Sequence, residues 1–182
     1  LASQMKRDEQ PASGGKGANN SAMNKDEQAR HEIDEASTGQ GEPQHLLFPF
    51  APSKQAKQLN PIVLAYMGDA IYEAAIRQYL ISKPNHRPNH LHREVISYVS
   101  AKAQARFLGS IASFLTEEEA DVVRQGRNTK SSVPKSADVS EYRQATALEA
   151  LFGYLYFSGQ HDRMRQLVNM IVHAHEAEHD NK

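Results

Sequence analysis

From Asn60 to the C-terminal end, apolar residues recur at spacings of three and four, and strict alternation is absent, so the pattern predicts helices and no strand. Asn60 before Pro61 reads as an N-cap and first helical position, opening a helix to about Ser82. The segment KPNHRPN, with two prolines, ends it. A second helical region covers about Asn89 to Phe114, long enough to predict a break near Ser97 to Ser100. Thr116 with Glu119 forms a capping box for a short helix to about Gln125, with Gly126 as its C-terminal cap. After the polar, basic loop RNTKSSVPKSADVS come a helix from Glu141 to Ser158, with Ser140 as N-cap and Gly159 as terminator, and a last helix from about Asp162 to Glu178. The expected fold is all-α, a single domain of about five to seven helices, without repeats.

The first quarter of the chain is different. Pro, Gly, Ser, Asn, Gln and charged residues dominate it, with few large apolar side chains before Leu46. Such a segment cannot bury enough surface to offset its ordering entropy, so residues 1–45 are expected to be disordered and 46–179 to form the domain. The sequence opens on Leu1, and Met23 is a candidate start. No signal-peptide pattern and no run of about twenty apolar residues occur, which leads to the expectation of a cytoplasmic protein. Without cysteine the chain has neither disulfides nor thiolate metal sites.

Charge is unevenly spread. Residues 1–53 carry 5 basic and 8 acidic side chains, whereas 54–182 carry 16 and 14. From Arg124 to Arg143 five basic residues stand against two acids. A domain this close to neutrality excludes strong nonspecific nucleic-acid binding, but a local patch can hold phosphates.

Within this pattern two acids stand out. Asp69 is the sole charge in PIVLAYMGDAIY (61–72), and Glu149 the sole charge in ATALEALFGYLYF (145–157). A carboxylate on a helix that buries most of its surface costs several kcal/mol unless it is paired, protonated or bound to a cation. Each lies close to a glycine, Gly68 or Gly153, and glycine lets another backbone approach. The two helices could therefore cross there and bring the carboxylates together as oxygen ligands for a hard cation. Alternatively, each acid caps a neighbouring helix or pairs with an arginine such as Arg77 or Arg143.

The residues around the two acids resemble the ribonuclease III catalytic domain, whose signature blocks have the forms LEFLGDSVL and DTFEAIIGALY. Here they read LAYMGDAIY (64–72) and TALEALFGYLY (146–156). The similarity is closest to the Mini-ribonuclease III subfamily, and NHLHREVISYVSAKAQARFL (89–108) and VVRQGRNTK (122–130) look like its intermediate segments. The resemblance spans about Leu59 to Glu176. Two positions depart from the larger enzymes. Ala65 stands where they carry a Glu and Thr146 where they carry an Asp, as in the subfamily, so four metal-site carboxylates reduce to two.

The resemblance implies a Mg2+-dependent endoribonuclease, with Mn2+ able to substitute, that cleaves double-stranded RNA and leaves a 5′-phosphate. It implies Asp69 and Glu149 as catalytic and metal-binding residues, and Glu73, one turn after Asp69, is the expected substitute ligand. It further implies a homodimer, a precursor of the large-subunit (23S) ribosomal RNA as substrate, and a possible ribosomal-protein helper. RNA contact is expected from Arg124, Arg127, Asn128, Lys130 and Lys135, and from Lys102 with Arg106. A competing reading is a catalytically inactive dimeric scaffold for structured RNA, supported by the two missing carboxylates. Two histidine groups, His86/His90/His92 and His173/His175/His179, lack the arrangement of a zinc site; the first is expected to serve packing or RNA contact, the second to be solvated.

Overall fold

The computed structural model describes residues 45–129 and 138–180, so the disorder expected for residues 1–45 falls outside the described residues except for His45. Among the described residues six α-helices follow in order: α1 (Pro61–Ile81), α2 (Pro88–Val99), α3 (Ala101–Ile111), α4 (Glu117–Asn128), α5 (Val139–Phe157) and α6 (His161–Asp180). Single 3-10 turns precede α1 (Ala56–Gln58) and follow α3 (Ala112–Phe114). No strand occurs among the described residues, as the periodicity predicts.

Local chemistry explains most boundaries. The Asn60 side chain accepts from the Ile62 amide at 3.0 Å, and Pro61 needs no donor partner at this position. The expected break in the second helical region falls at Ser100, whose extended backbone (φ −64°, ψ 148°) ends α2 and whose hydroxyl caps α3. Thr116 and Glu119 form both halves of the predicted capping box. Two assignments need correction. The N-cap of α5 is Asp138, not Ser140, because Asp138 Oδ1 accepts from the Glu141 amide at 2.9 Å. Gly126 does not cap α4, which continues to Asn128; its missing side chain instead admits α5, since a Cβ there would lie 2.9 Å from Ala147 Cα.

Helix α5 is apolar on nearly every side because it is the central element, packed by α1, α3, α4 and α6. Tyr72 of α1 tilts against Phe152 of α5 at 5.0 Å and donates its hydroxyl to Tyr98 O at the end of α2. On the far side, Arg163 of α6 donates to both Glu119 oxygens (2.7 and 2.8 Å) and to Phe114 O at 2.6 Å. A guanidinium fork thus fastens α6 to the start of α4.

Candidate active site

Helices α1 and α5 cross with their backbones in close approach. A Cβ on Gly68 would sit 1.7 Å from Glu149 O, and one on Gly153 would sit 2.0 Å from Leu64 O. Real side chains never come so close, so both glycines are required for the crossing. Asp69 directly follows Gly68, and Gly68 lies against the backbone of Glu149 itself. The glycine-mediated crossing read from the sequence is therefore realised, and it carries both acids.

Their settings differ. The buried stripe of α1 runs through Leu64, Ala65, Gly68, Tyr72, Ile76 and Leu80, and Asp69 is one position off it, so it is exposed rather than buried as expected. Glu149 is half-enclosed between buried Leu148 and Ala150. Burial, and after it the charge of Asp69, push the Glu149 carboxyl up to about 7. The carboxyl of Asp69 is raised by partial burial and then by Glu73. Such a pair loses its two protons in separate steps, the second against the charge left by the first. Two hard oxygen donors that resist sharing two negative charges fit a divalent cation, which relieves the repulsion.

The remaining expected ligand is paired with a base of its own helix. Glu73 accepts from Arg77 Nη2 at 2.5 Å and Nε at 3.2 Å, and no group of three or more metal-capable His, Asp or Glu side chains assembles among the described residues. At the two departing positions, Ala65 is buried and the Thr146 hydroxyl is committed to Tyr142 O at 3.1 Å. Among the described residues neither Arg77 nor Arg143 forms an ion pair with Asp69 or Glu149; Arg77 pairs with Glu73 instead.

Of the basic residues, Arg127 and Asn128 are exposed at the end of α4, directly after Gly126, which abuts Ala147 and Ala150 on either side of Glu149. Arg124 is exposed and paired with Asp121 at 2.8 Å, Lys102 is exposed on α3, and Lys130 and Lys135 lie outside the described residues. Arg106 turns to its own protein: it meets Glu178 at 3.3 Å and His175 Nδ1 at 3.3 Å, and lies over the Phe107 ring. His175 is buried, 4.1 Å from the Tyr98 ring, which corrects the expectation of solvation for this member of the C-terminal histidine group, whereas His173 and His179 are exposed. Burial lowers its pKa, helped by His179 and Arg106.

Sequence reasoning missed Gln104. It is 1 % exposed in the apolar stripe of α3 with Ala103, Phe107, Leu108 and Ile111, and its Nε2 donates to Val99 O at 3.1 Å. A lone amide at a core position was the available signal.

A ribonuclease III domain model matches residues 62–160. The chain is 52% identical over 110 residues to the Mini-ribonuclease 3 of Brevibacillus brevis, covering 60% of this chain and 82% of the relative. It is 49% identical over 119 residues to that of Enterococcus faecalis, covering 64% and 90%. A crystal structure of a protein from Fusobacterium nucleatum superposes with a TM-score of 0.60 at 32% identity, covering 68% of this chain and 99% of that one.

Proposed function

This chain belongs to the ribonuclease III family and is an endoribonuclease; from that premise we propose that Asp69 and Glu149 form its catalytic pair, cutting double-stranded RNA as a homodimer in the maturation of the large-subunit (23S) ribosomal RNA precursor. The convergence of Asp69 and Glu149 at the glycine crossing carries this reading. Mg2+, or Mn2+ in its place, would be held by these two carboxylates and, when bound, supplies charge neutralisation at the phosphoryl oxygens and activation of a water. Asp69, at the solvent edge, presents its oxygens to the RNA backbone. Glu149, half-enclosed, is oriented by its surroundings and holds its negative charge only above about pH 7 until a cation arrives. At limiting metal, cleavage therefore falls as the pH drops below that value.

Lys102, Arg124, Arg127 and Asn128, with Lys130 and Lys135, supply phosphate contacts, which makes RNA binding salt-sensitive. One site cuts one strand, so a second copy is needed to cut both. The outward side of α1 supports this: Ile62, Val63 and Tyr66 are exposed there, Tyr66 at 85%. An apolar stripe beside the catalytic aspartate suits a twofold contact that sets two sites together.

The test is incubation with long double-stranded RNA in Mg2+ or in EDTA. Metal-dependent products with 5′-phosphate ends are expected from the wild type, and none from folded Asp69→Asn. Equal cleavage by that variant, or in EDTA, removes the assignment. Tyr66→Lys should shift the sedimentation coefficient toward a monomer; an unshifted value counts against the α1 interface.

A further inference from the structure

A buried histidine lies outside the catalytic reading. His175 of α6 is 5% exposed, and its ring sits 4.1 Å from that of Tyr98 in α2 and 5.8 Å from that of Phe107 in α3. Both of its nitrogens are engaged. Arg106 Nη2 stands 3.3 Å from Nδ1, and Ser97 Oγ stands 3.2 Å from Nε2. A guanidinium has hydrogens to give and no lone pair, so Nδ1 accepts from it. The single ring hydrogen is therefore on Nε2 and is donated to Ser97 Oγ, whose own hydrogen goes to Glu94 O at 2.7 Å. This chain of bonds runs from α3 through α6 to α2, and only the neutral ring completes it.

We propose that His175 is a proton-sensitive latch for the C-terminal end of α6: neutral, it ties α6 to Arg106 of α3 and Ser97 of α2, and protonated, it loses Arg106 and lets the end of the helix open. A second ring hydrogen would point at the guanidinium and set two cations in contact in a buried place. The neighbours on every packed element bear on this. Arg106 from α3 and His179 from α6, its ring 4.4 Å away, oppose a charged ring, whereas Glu94 from α2 and Glu178 from α6 favour one. Those acids are already engaged, Glu178 with Arg106 at 3.3 Å and Glu94 beside His90 at 3.9 Å. Tyr79 and Lys83 of α1 line the same cavity, and both are bonded to Glu176. Burial first, then His179 and Arg106, outweigh the acids and lower the pKa of His175 from its ordinary 6.5. The closed latch thus holds the proton more weakly than a ring in water does. Its contribution is fully present above that ordinary value and is lost as pH falls through the lowered one.

Nitrogen NMR of the ring in the full chain reads the closed latch directly. At pH 7.5 the wild-type His175 should carry its hydrogen on Nε2, and its titration midpoint should lie below 6.5. Arg106→Met, which removes the opposing cation, should move that midpoint upward. A hydrogen on Nδ1, a midpoint at or above 6.5, or a midpoint that Arg106→Met leaves in place overturns the proposal. Hydrogen exchange followed by mass spectrometry, corrected for the intrinsic rate at each pH, reads the opening. Between pH 7.5 and pH 5 the protection of residues 173–180 should fall about tenfold, while that of α5 is kept. His175→Phe keeps an aromatic ring that cannot take a proton, and His175→Gln keeps a neutral side chain able to accept from Arg106 and donate to Ser97. Each should hold the protection of 173–180 level over the same range. A fall equal to the wild type's in either variant assigns the opening to another group and overturns the latch, as does an unchanged protection in the wild type.

Discussion

Glu119 and Glu149 are both glutamates set into helix-packed surroundings, and their settings are opposite. Glu119 is 2% exposed and answered on every side: Arg163 grips both oxygens and the Thr116 amide donates to Oε2 at 2.9 Å. Arg163, more than any other cause, holds its carboxyl below the usual range. Glu149 meets an acid instead of a base, and its carboxyl is held well above that range. A protein that needs an acid only for its fold supplies a cation from its own side chains, as at Glu119. Where the chain leaves the acid unanswered, and adds a second, the acid either keeps its proton or draws its compensating charge from outside.

The largest effect should separate the two by activity. Glu149→Gln is expected to lower cleavage by about 10³-fold, equivalent to roughly 4 kcal/mol at the transition state, while leaving the circular-dichroism spectrum intact. Retained activity would place Glu149 with Glu119 as a structural acid. Next, Arg163→Met should cost roughly 3–5 kcal/mol of stability, because the Glu119 carboxylate is left buried and uncompensated. Urea unfolding at pH 7.5 measures this, and a loss below about 1 kcal/mol would show that the pair is not a fastening.

The pH dependence should then have opposite signs. Glu149 binds its proton more tightly folded than unfolded, so its contribution to stability is fully present below its unfolded value near 4.5 and is lost as pH rises toward about 7. That loss amounts to roughly 3 kcal/mol in metal-free protein, and Glu149→Gln should abolish it. Glu119, with a lowered folded pKa, contributes stability above its unfolded value, and that contribution is lost as pH falls through the folded one. Denaturation midpoints across pH 3–8 for wild type and each Gln variant would expose a shared sign if the comparison is wrong.

Glycines make a smaller version of the same contrast. Gly68→Ala would force a Cβ onto Glu149 O and should cost roughly 3 kcal/mol, together with activity. At Gly109 of α3 nothing lies within 4 Å of an added Cβ, so Gly109→Ala should stabilise by about 0.5–1 kcal/mol. Melting temperatures moving in the same direction for both would deny that the crossing depends on the absence of a side chain.

Much of the architecture was legible from local chemistry. The Asn60 cap, the Thr116–Glu119 box and the turn at Ser100 depend on residues within a few positions of each other, and those spacings are written in the chain. Gly68 and Gly153 announced a close crossing because a helix interior seldom tolerates glycine without a reason. The readings that failed turn on distant neighbours. Ser140 lost the cap to Asp138 by two residues, but Gly126 is spent on α5, His175 is roofed by Tyr98, and Arg106 is drawn to Glu178 and His175.

Sequence alone determined that this chain folds as helices, that two of them carry single acids beside glycines, and that only two of the expected four carboxylates remain. The tertiary structure decided how those acids differ: Asp69 at the water's edge, Glu149 enclosed, and Glu73 turned to Arg77. The reason is physical. Helical period tells which residues share a face, but the dielectric and hydrogen-bonding surroundings of a carboxyl are set by whichever helix covers that face, and that helix comes from elsewhere in the chain.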